Sequence, residues 1–223
     1  MKRNILARRA ASAALAACMM FTLSAPALAA STDALLQQST AAKSAVSVLD
    51  EENGTEIETA YQMNLKYGSI TVYIGEDGKQ YAKQGENDPQ KSGNLQITTD
   101  GGRTDNTLTI RGGDSTAAKV TLSNVNINTS GAAVSVSGNV ELVIADTNTL
   151  RSGENRAGVE KADDNGTLTI SGTGTLEAHG GRGGAGIGSG SQKGCSNIEI
   201  ESGTIIAYGG EWGAGIGSGN VGD

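Results

Sequence analysis

The chain holds one histidine and one tryptophan, His179 and Trp212, and an offset of 29 residues brings them into one neighbourhood. At that offset His179 falls on Tyr208, Arg182 on Glu211, and Gly183 on Trp212. An aromatic face packs against the C–H groups of a sugar ring, and polar groups beside it hydrogen-bond the hydroxyls. His179, Arg182, Tyr208, Glu211 and Trp212 are therefore the candidate carbohydrate-binding residues. The competing reading is local: Trp212 folds over neighbouring glycines, and Arg182 with Glu211 is an ordinary surface pair.

Cleavage of a polysaccharide needs more. It calls for carboxylates clustered on one face, with Ca²⁺ or a second acid and often a basic side chain. The nearest such group is Glu154, Glu160, Lys161, Asp163 and Asp164, all on one long turn. Five charges so close together read as a solvated loop, and neighbouring coils align no second carboxylate with them. No residue is assigned a catalytic role. The stretch 181–186 formally fits the dinucleotide pattern G-x-G-x-x-G, but a strand rather than a helix follows it, so no phosphate site results. One histidine with Cys195 makes no zinc site, and neither a metal nor a cofactor is expected.

The elements that would position these residues are repeats. GGRGGAGIGSG at 180–190 returns as GGEWGAGIGSG at 209–219, identical at nine of eleven positions. Upstream the unit weakens but persists as Ala132-Ala133-Val134, Ala157-Gly158-Val159, Ala185-Gly186-Ile187 and Ala214-Gly215-Ile216, at steps of 25, 28 and 29. A second column pairs Val120/Leu122, Leu142/Ile144, Leu168/Ile170 and Ile198/Ile200, at steps of 22, 26 and 30. A third runs through Ile127, Leu150, Leu176 and Ile205, with Thr149, Thr175 and Thr204 as a polar ladder beside it. Each coil thus carries three short segments of period-two alternation, divided by Gly, Asn, Asp and Ser. That is the pattern of an all-β, right-handed parallel β-helix with three short strands per coil. Segments 69–74, 95–98 and 107–110 would begin the coil. Alternating Gly184, Gly186, Gly188 and Gly190 predict a strand with Ala185 and Ile187 inward and a bare outer face. Glycine demanded by bends or close packing is the alternative.

Of 17 basic and 24 acidic residues, four cations and no acid lie in the first 29 positions. The remainder carries a net charge of −11, with no basic run to neutralise phosphates, which argues against a nucleic-acid partner. Lys2, Arg3, Arg8 and Arg9 precede an apolar stretch, and Ala27-Leu28-Ala29 fits the cleavage rule of an export signal, so 1–29 is expected to be a signal peptide. Leu15-Ala16-Ala17-Cys18 has the form of a lipoprotein box, so a lipid on Cys18 is the alternative; it or a missing C-terminal anchor would be the sole membrane attachment. Residues 30–60 read as a linker or a short capping helix, and 61–223 as the β-helix, truncated before its C-terminal cap.

The run 166–176, the glycine units 180–190 and 209–219, and the strand pair 198–206 resemble the β-helix regions of large secreted and surface proteins of Gram-positive gut bacteria. Such regions are described as carbohydrate-binding or adhesin-like, and the likeness spans roughly residue 66 onward. It implies a right-handed β-helix, secretion to the cell surface, and a polysaccharide or a host or cell-wall glycan as partner. The expected function is an extracellular, non-catalytic module that binds polysaccharide or acts as an adhesin. A β-helix polysaccharide lyase or glycoside hydrolase, and a spacer without ligand, are the alternatives.

Overall fold

A computed structural model describes residues 61–161 and 165–220, together with the two-residue strands Ala42–Lys43, Val48–Leu49 and Glu56–Ile57. The signal peptide, Cys18 and most of the 30–60 linker or capping helix lie outside the described residues.

Apolar residues at every second position make short strands, and residues that tolerate a left-handed backbone end them. The corner after each strand of the first sheet falls on Asp100 (φ 50°), Asn124 (φ 54°) and Asp146 (φ 53°) in three successive coils. Asp and Asn adopt this conformation more readily than other non-glycine residues because their short polar side chains bond locally. Asp146 also ties one corner to the previous one, accepting from Ser123 Oγ at 2.7 Å and Asn124 Nδ2 at 3.2 Å.

Between corners the chain visits three sheets in turn. The first stacks Tyr61–Asn64, Leu95–Thr98, Ala118–Ser123, Val140–Ala145, Leu168–Gly172 and Ile198–Ile200. The second stacks Asn126–Asn128, Thr147–Arg151, Thr175–His179 and Thr204–Tyr208. The third stacks Ile70–Ile74, Leu108–Arg111, Val134–Ser137, Val159–Lys161, Ile187–Gly188 and Ile216–Gly217. Neighbours within each of these stacks are parallel. This is a parallel β-helix with three strands per coil.

Inward side chains form apolar stacks along the axis: Val120, Leu142, Ile170 in the first sheet and Val134, Val159, Ile187 in the third are all fully buried. Each such side chain contributes about 1.5–3 kcal/mol through its removal from water. In the third sheet the registers Val134↔Val159↔Ile187↔Ile216 reproduce the spacing read from the sequence. The other two columns need correction between the fourth and fifth coils. Leu142 pairs with Ile170, not Leu168, which pairs with Val140. Leu150 pairs with Ala178, and Leu176 with the buried Asn148. The threonine ladder accordingly runs Thr147, Thr175, Thr204, with Thr149 opposite Glu177. A slip of two residues leaves every side chain on its own face, so apolar pattern alone could not detect it.

The N-terminal edge of the third sheet is covered by an antiparallel segment that the sequence reading did not foresee. Gln80–Gln84 pairs with Ile70–Ile74, and Gln90–Lys91 pairs with Gln80–Gln84. Gln84 is buried and donates to the carbonyls of Asn64 at 2.7 Å and Gly68 at 3.0 Å. An edge closed this way no longer offers a free ladder of N–H and C=O groups.

Candidate functional site

The candidate residues sit where the second sheet turns into the third. Its strands end on Arg151, His179 and Tyr208, which are mutual register partners in successive coils. A four-residue turn follows in each coil, closed by Arg156 N to Gly153 O, Gly184 N to Gly181 O, and Gly213 N to Gly210 O. The third residue of each turn has positive φ: Asn155 at 62°, Gly183 at 77°, Trp212 at 71°. This is the type II pattern, in which that position favours Gly or Asn. Turns are locked to one another by Asn155 N to Arg182 O at 2.7 Å and Gly183 N to Glu211 O at 2.8 Å. Glu154, Arg182 and Glu211 therefore stack as a second column beside the first.

The side chains interact across coils. The His179 and Tyr208 rings stack with centroids 4.6 Å apart and planes inclined by 20°. Arg182 Nε lies 3.4 Å from Glu211 Oε2, and its guanidinium carbon sits 4.6 Å from the centroid of Trp212. All five predicted residues thus lie on one outer ridge, with Tyr208 51% and Trp212 60% exposed. One face of each ring is covered, by His179 and by Arg182 respectively.

Two further members escaped the sequence reading. Glu177 Oε1 accepts from His179 Nε2 at 2.5 Å and from Arg151 Nη2 at 3.0 Å. Since a carboxylate can only accept, Nε2 is the protonated nitrogen. The signal was present in the sequence, because Glu177 precedes His179 by two and so shares its face, while Arg151 lies one coil, 28 residues, before it. The misregistered second column hid the relation.

The hydrogen bond from His179, helped by the nearby charges of His179 and Arg151, holds the Glu177 carboxyl below its ordinary value of 4.5. A depressed carboxyl contributes stability above its unfolded pKa and loses it as pH falls through the folded one. Glu177→Gln is therefore expected to lower the thermal midpoint slightly at neutral pH, with the gap to the parent closing as pH drops below 4.5. Thermal melts of both proteins across that interval check this; a gap independent of pH would show that Glu177 charge is not what matters.

The acidic group resolves differently from the solvated loop expected of it. Glu160 (1% exposed) and Lys161 (2%) are buried in the strand Val159–Lys161, whereas Asp163 and Asp164 lie outside the described residues. Glu160 pairs with Arg156 at 3.1 Å and accepts from Ala157 N at 3.2 Å, while Lys161 donates to Asn165 O at 3.0 Å. Among the described residues no group of His, Cys, Asp and Glu could hold a metal ion.

The glycine units are not bare strands either. Only Ile187–Gly188 and Ile216–Gly217 are strand within them, and Gly184, Gly186, Gly188 and Gly190 are buried. A Cβ at any of these four would lie under 3.0 Å from backbone of a neighbouring coil. Close packing of backbone on backbone, not an open outer face, demands glycine here.

A protein-family model described as a beta helix repeat matches residues 168–191 and again 198–220. Two coils of this chain are thus similar to a beta helix repeat. The first match contains His179 and Arg182, and the second contains Tyr208, Glu211 and Trp212, so all five candidate residues lie within the two matches. No curated protein and no solved structure gives a match.

Proposed function

We propose that this β-helix binds polysaccharide on the ridge of His179, Arg182, Tyr208, Glu211 and Trp212, as an exported, non-catalytic module of the cell surface or an adhesin. The observation that carries the reading is Trp212, the bulkiest side chain available, held 60% exposed at a backbone position whose counterparts are Asn155 and Gly183. A left-handed backbone costs a large side chain roughly 1–2 kcal/mol, and exposure to water returns little of it. Such a residue fits a site better than a scaffold. Two flat rings on one ridge, each with one face supported from within the protein, offer packing surface for sugar C–H groups. Glu177, Glu211 and Arg182 beside them supply acceptors and donors for hydroxyls. Export and surface attachment rest on the leader and on the family resemblance.

Trp212→Gly separates site from scaffold. It places at this turn the residue that Gly183 already provides one coil earlier, so the thermal midpoint should stay level or rise. Affinity for the glycan should fall about tenfold or more, as for other exposed aromatic anchors. The measurement is retention of the purified chain on immobilised plant, mucin and bacterial-wall polysaccharides, with chain length of each polymer followed in parallel. Retention that survives Trp212→Gly removes the site from this ridge. Shortening of a polymer makes the protein a lyase or hydrolase, and no retention on any polymer leaves a spacer.

A further inference from the structure

We infer that the polymer taken by this ridge is an uncharged glycan, not one bearing uronate, sulfate or sialate groups. The inference rests on reading the ridge as a glycan site. Charge on and beside the ridge is already matched within the protein. Arg151 is held by Glu177 at 3.0 Å, Arg156 by Glu160 at 3.1 Å, and Arg182 by Glu211 at 3.4 Å. His179 donates to Glu177 as well, at 2.5 Å. Glu154 stands exposed at the tip of the preceding turn, in the column of Arg182 and Glu211, and forms no ion pair among the described residues. Three arginines thus face four glutamates, before any charge on His179 is counted. The chain beyond its first 29 residues carries −11.

An acidic polymer would gain little here. At Arg151 and Arg182 its carboxylate meets a cation whose charge a glutamate already offsets, while approaching a net negative surface. Hydroxyls meet no such repulsion. A guanidinium has five N–H donors and a carboxylate about four acceptor positions, so both partners of each pair retain capacity for neutral groups. The internal pairing also holds Glu177, Glu211 and Arg182 in fixed positions before the ligand arrives, which lowers the ordering cost of binding. The exposed faces of Tyr208 and Trp212 add attraction that needs no charge on the ligand.

The test uses polymers that differ in charge alone. Polygalacturonate, alginate and hyaluronan are each compared with their carboxyl-reduced forms, alongside galactomannan, xyloglucan and mixed-linkage glucan, as immobilised phases for the purified chain. Retention is expected on neutral or reduced polymers, about tenfold stronger than on any acidic parent. It should change less than about twofold between roughly 50 and 500 mM NaCl. Glu154→Lys, which turns the balance of charge positive, should gain retention on the acidic parents. Stronger retention on acidic polymers that fades with salt and depends on Trp212 overturns the inference and leaves the ridge as a glycan site. An unchanged charge preference in Glu154→Lys also overturns it. Absence of retention on every polymer, acidic or neutral, removes the ridge reading itself and the inference with it.

Discussion

Gly181→Ala is expected to split one unfolding transition into two, with the last two coils melting before the rest. Gly153, Gly181 and Gly210 occupy the same place in successive turns, each with its Cα against the carbonyl of the coil before. A Cβ on Gly181 would lie far under 3.0 Å from Gly153 O, and one on Gly210 likewise from Gly181 O. Neighbouring coils are hydrogen-bonded at about 4.8 Å, so neither side has room to give. Insertion of a methyl group there must push the turn 181–184 away from 153–156 and lengthen Asn155 N to Arg182 O (2.7 Å) and Gly181 N to Arg156 O (3.0 Å). Overpacking of about 1–3 kcal/mol, plus roughly 1 kcal/mol for each bond weakened, gives a loss on the order of 3–5 kcal/mol.

That loss falls on one interface. In a stack of coils each unit is stabilised by its immediate neighbours, so weakening one junction uncouples the parts on either side of it. Hydrogen exchange should therefore show protection falling across 168–220 while 61–161 keeps most of its own. Gly194→Ala is the control, because a Cβ there meets nothing within 4 Å. Protection unchanged in Gly181→Ala, or lost evenly along the chain, would show that this contact does not hold the coils together.

The same close contacts explain which parts of the structure the sequence reveals. Backbone packed on backbone accepts glycine alone, so the third column keeps its letters from coil to coil and its register is readable to the residue. Inward positions of the first two sheets ask only for an apolar group. Several neighbours satisfy that demand, and alignment by hydrophobicity slipped from Ile170 to Leu168 and from Ala178 to Leu176. The antiparallel edge at 80–91 had no apolar signature, since its buried anchor is Gln84. Glu160 and Lys161 were read as solvated because their burial comes from the packing of other segments around them. His179, Tyr208, Arg182, Glu211 and Trp212 were found because the 29-residue glycine repeat fixed the offset between those two coils. Arg151 and Glu177 were missed because the slipped columns give an offset of 26 where the coils are in fact 28 apart.

Asn148→Leu is expected to destabilise the protein even though it completes an apolar column. Asn148 faces inward at 0% exposure, in register with Leu176 of the next coil, so pattern alone would favour leucine. Its amide, however, spans three coils. Oδ1 accepts from Val125 N at 3.0 Å in the coil before, and Nδ2 donates to Ala145 O at 2.7 Å and towards Thr175 O at 3.4 Å in the coil after. In the coil of Leu176 the corner is made differently: Thr173 N and Gly174 N both donate to Ile144 O, at 3.1 and 2.9 Å, and no side-chain amide is needed. Leucine at 148 would take these partners from the buried Val125 N–H and the half-buried Ala145 carbonyl, at about 1–3 kcal/mol each. A fall of roughly 3–4 kcal/mol in unfolding free energy, read from urea midpoints, is the expected result. Asn148→Asp separates bonding from packing, since it keeps the shape and the acceptor but donates only when protonated. Burial raises the pKa of such a carboxyl above its unfolded value, so the folded state is penalised at neutral pH and recovers as pH falls. The stability gap between Asn148→Asp and the parent should therefore narrow from pH 7 towards roughly pH 4. A leucine variant as stable as the parent, or an aspartate variant whose deficit ignores pH, would mean that apolar stacking alone holds this corner.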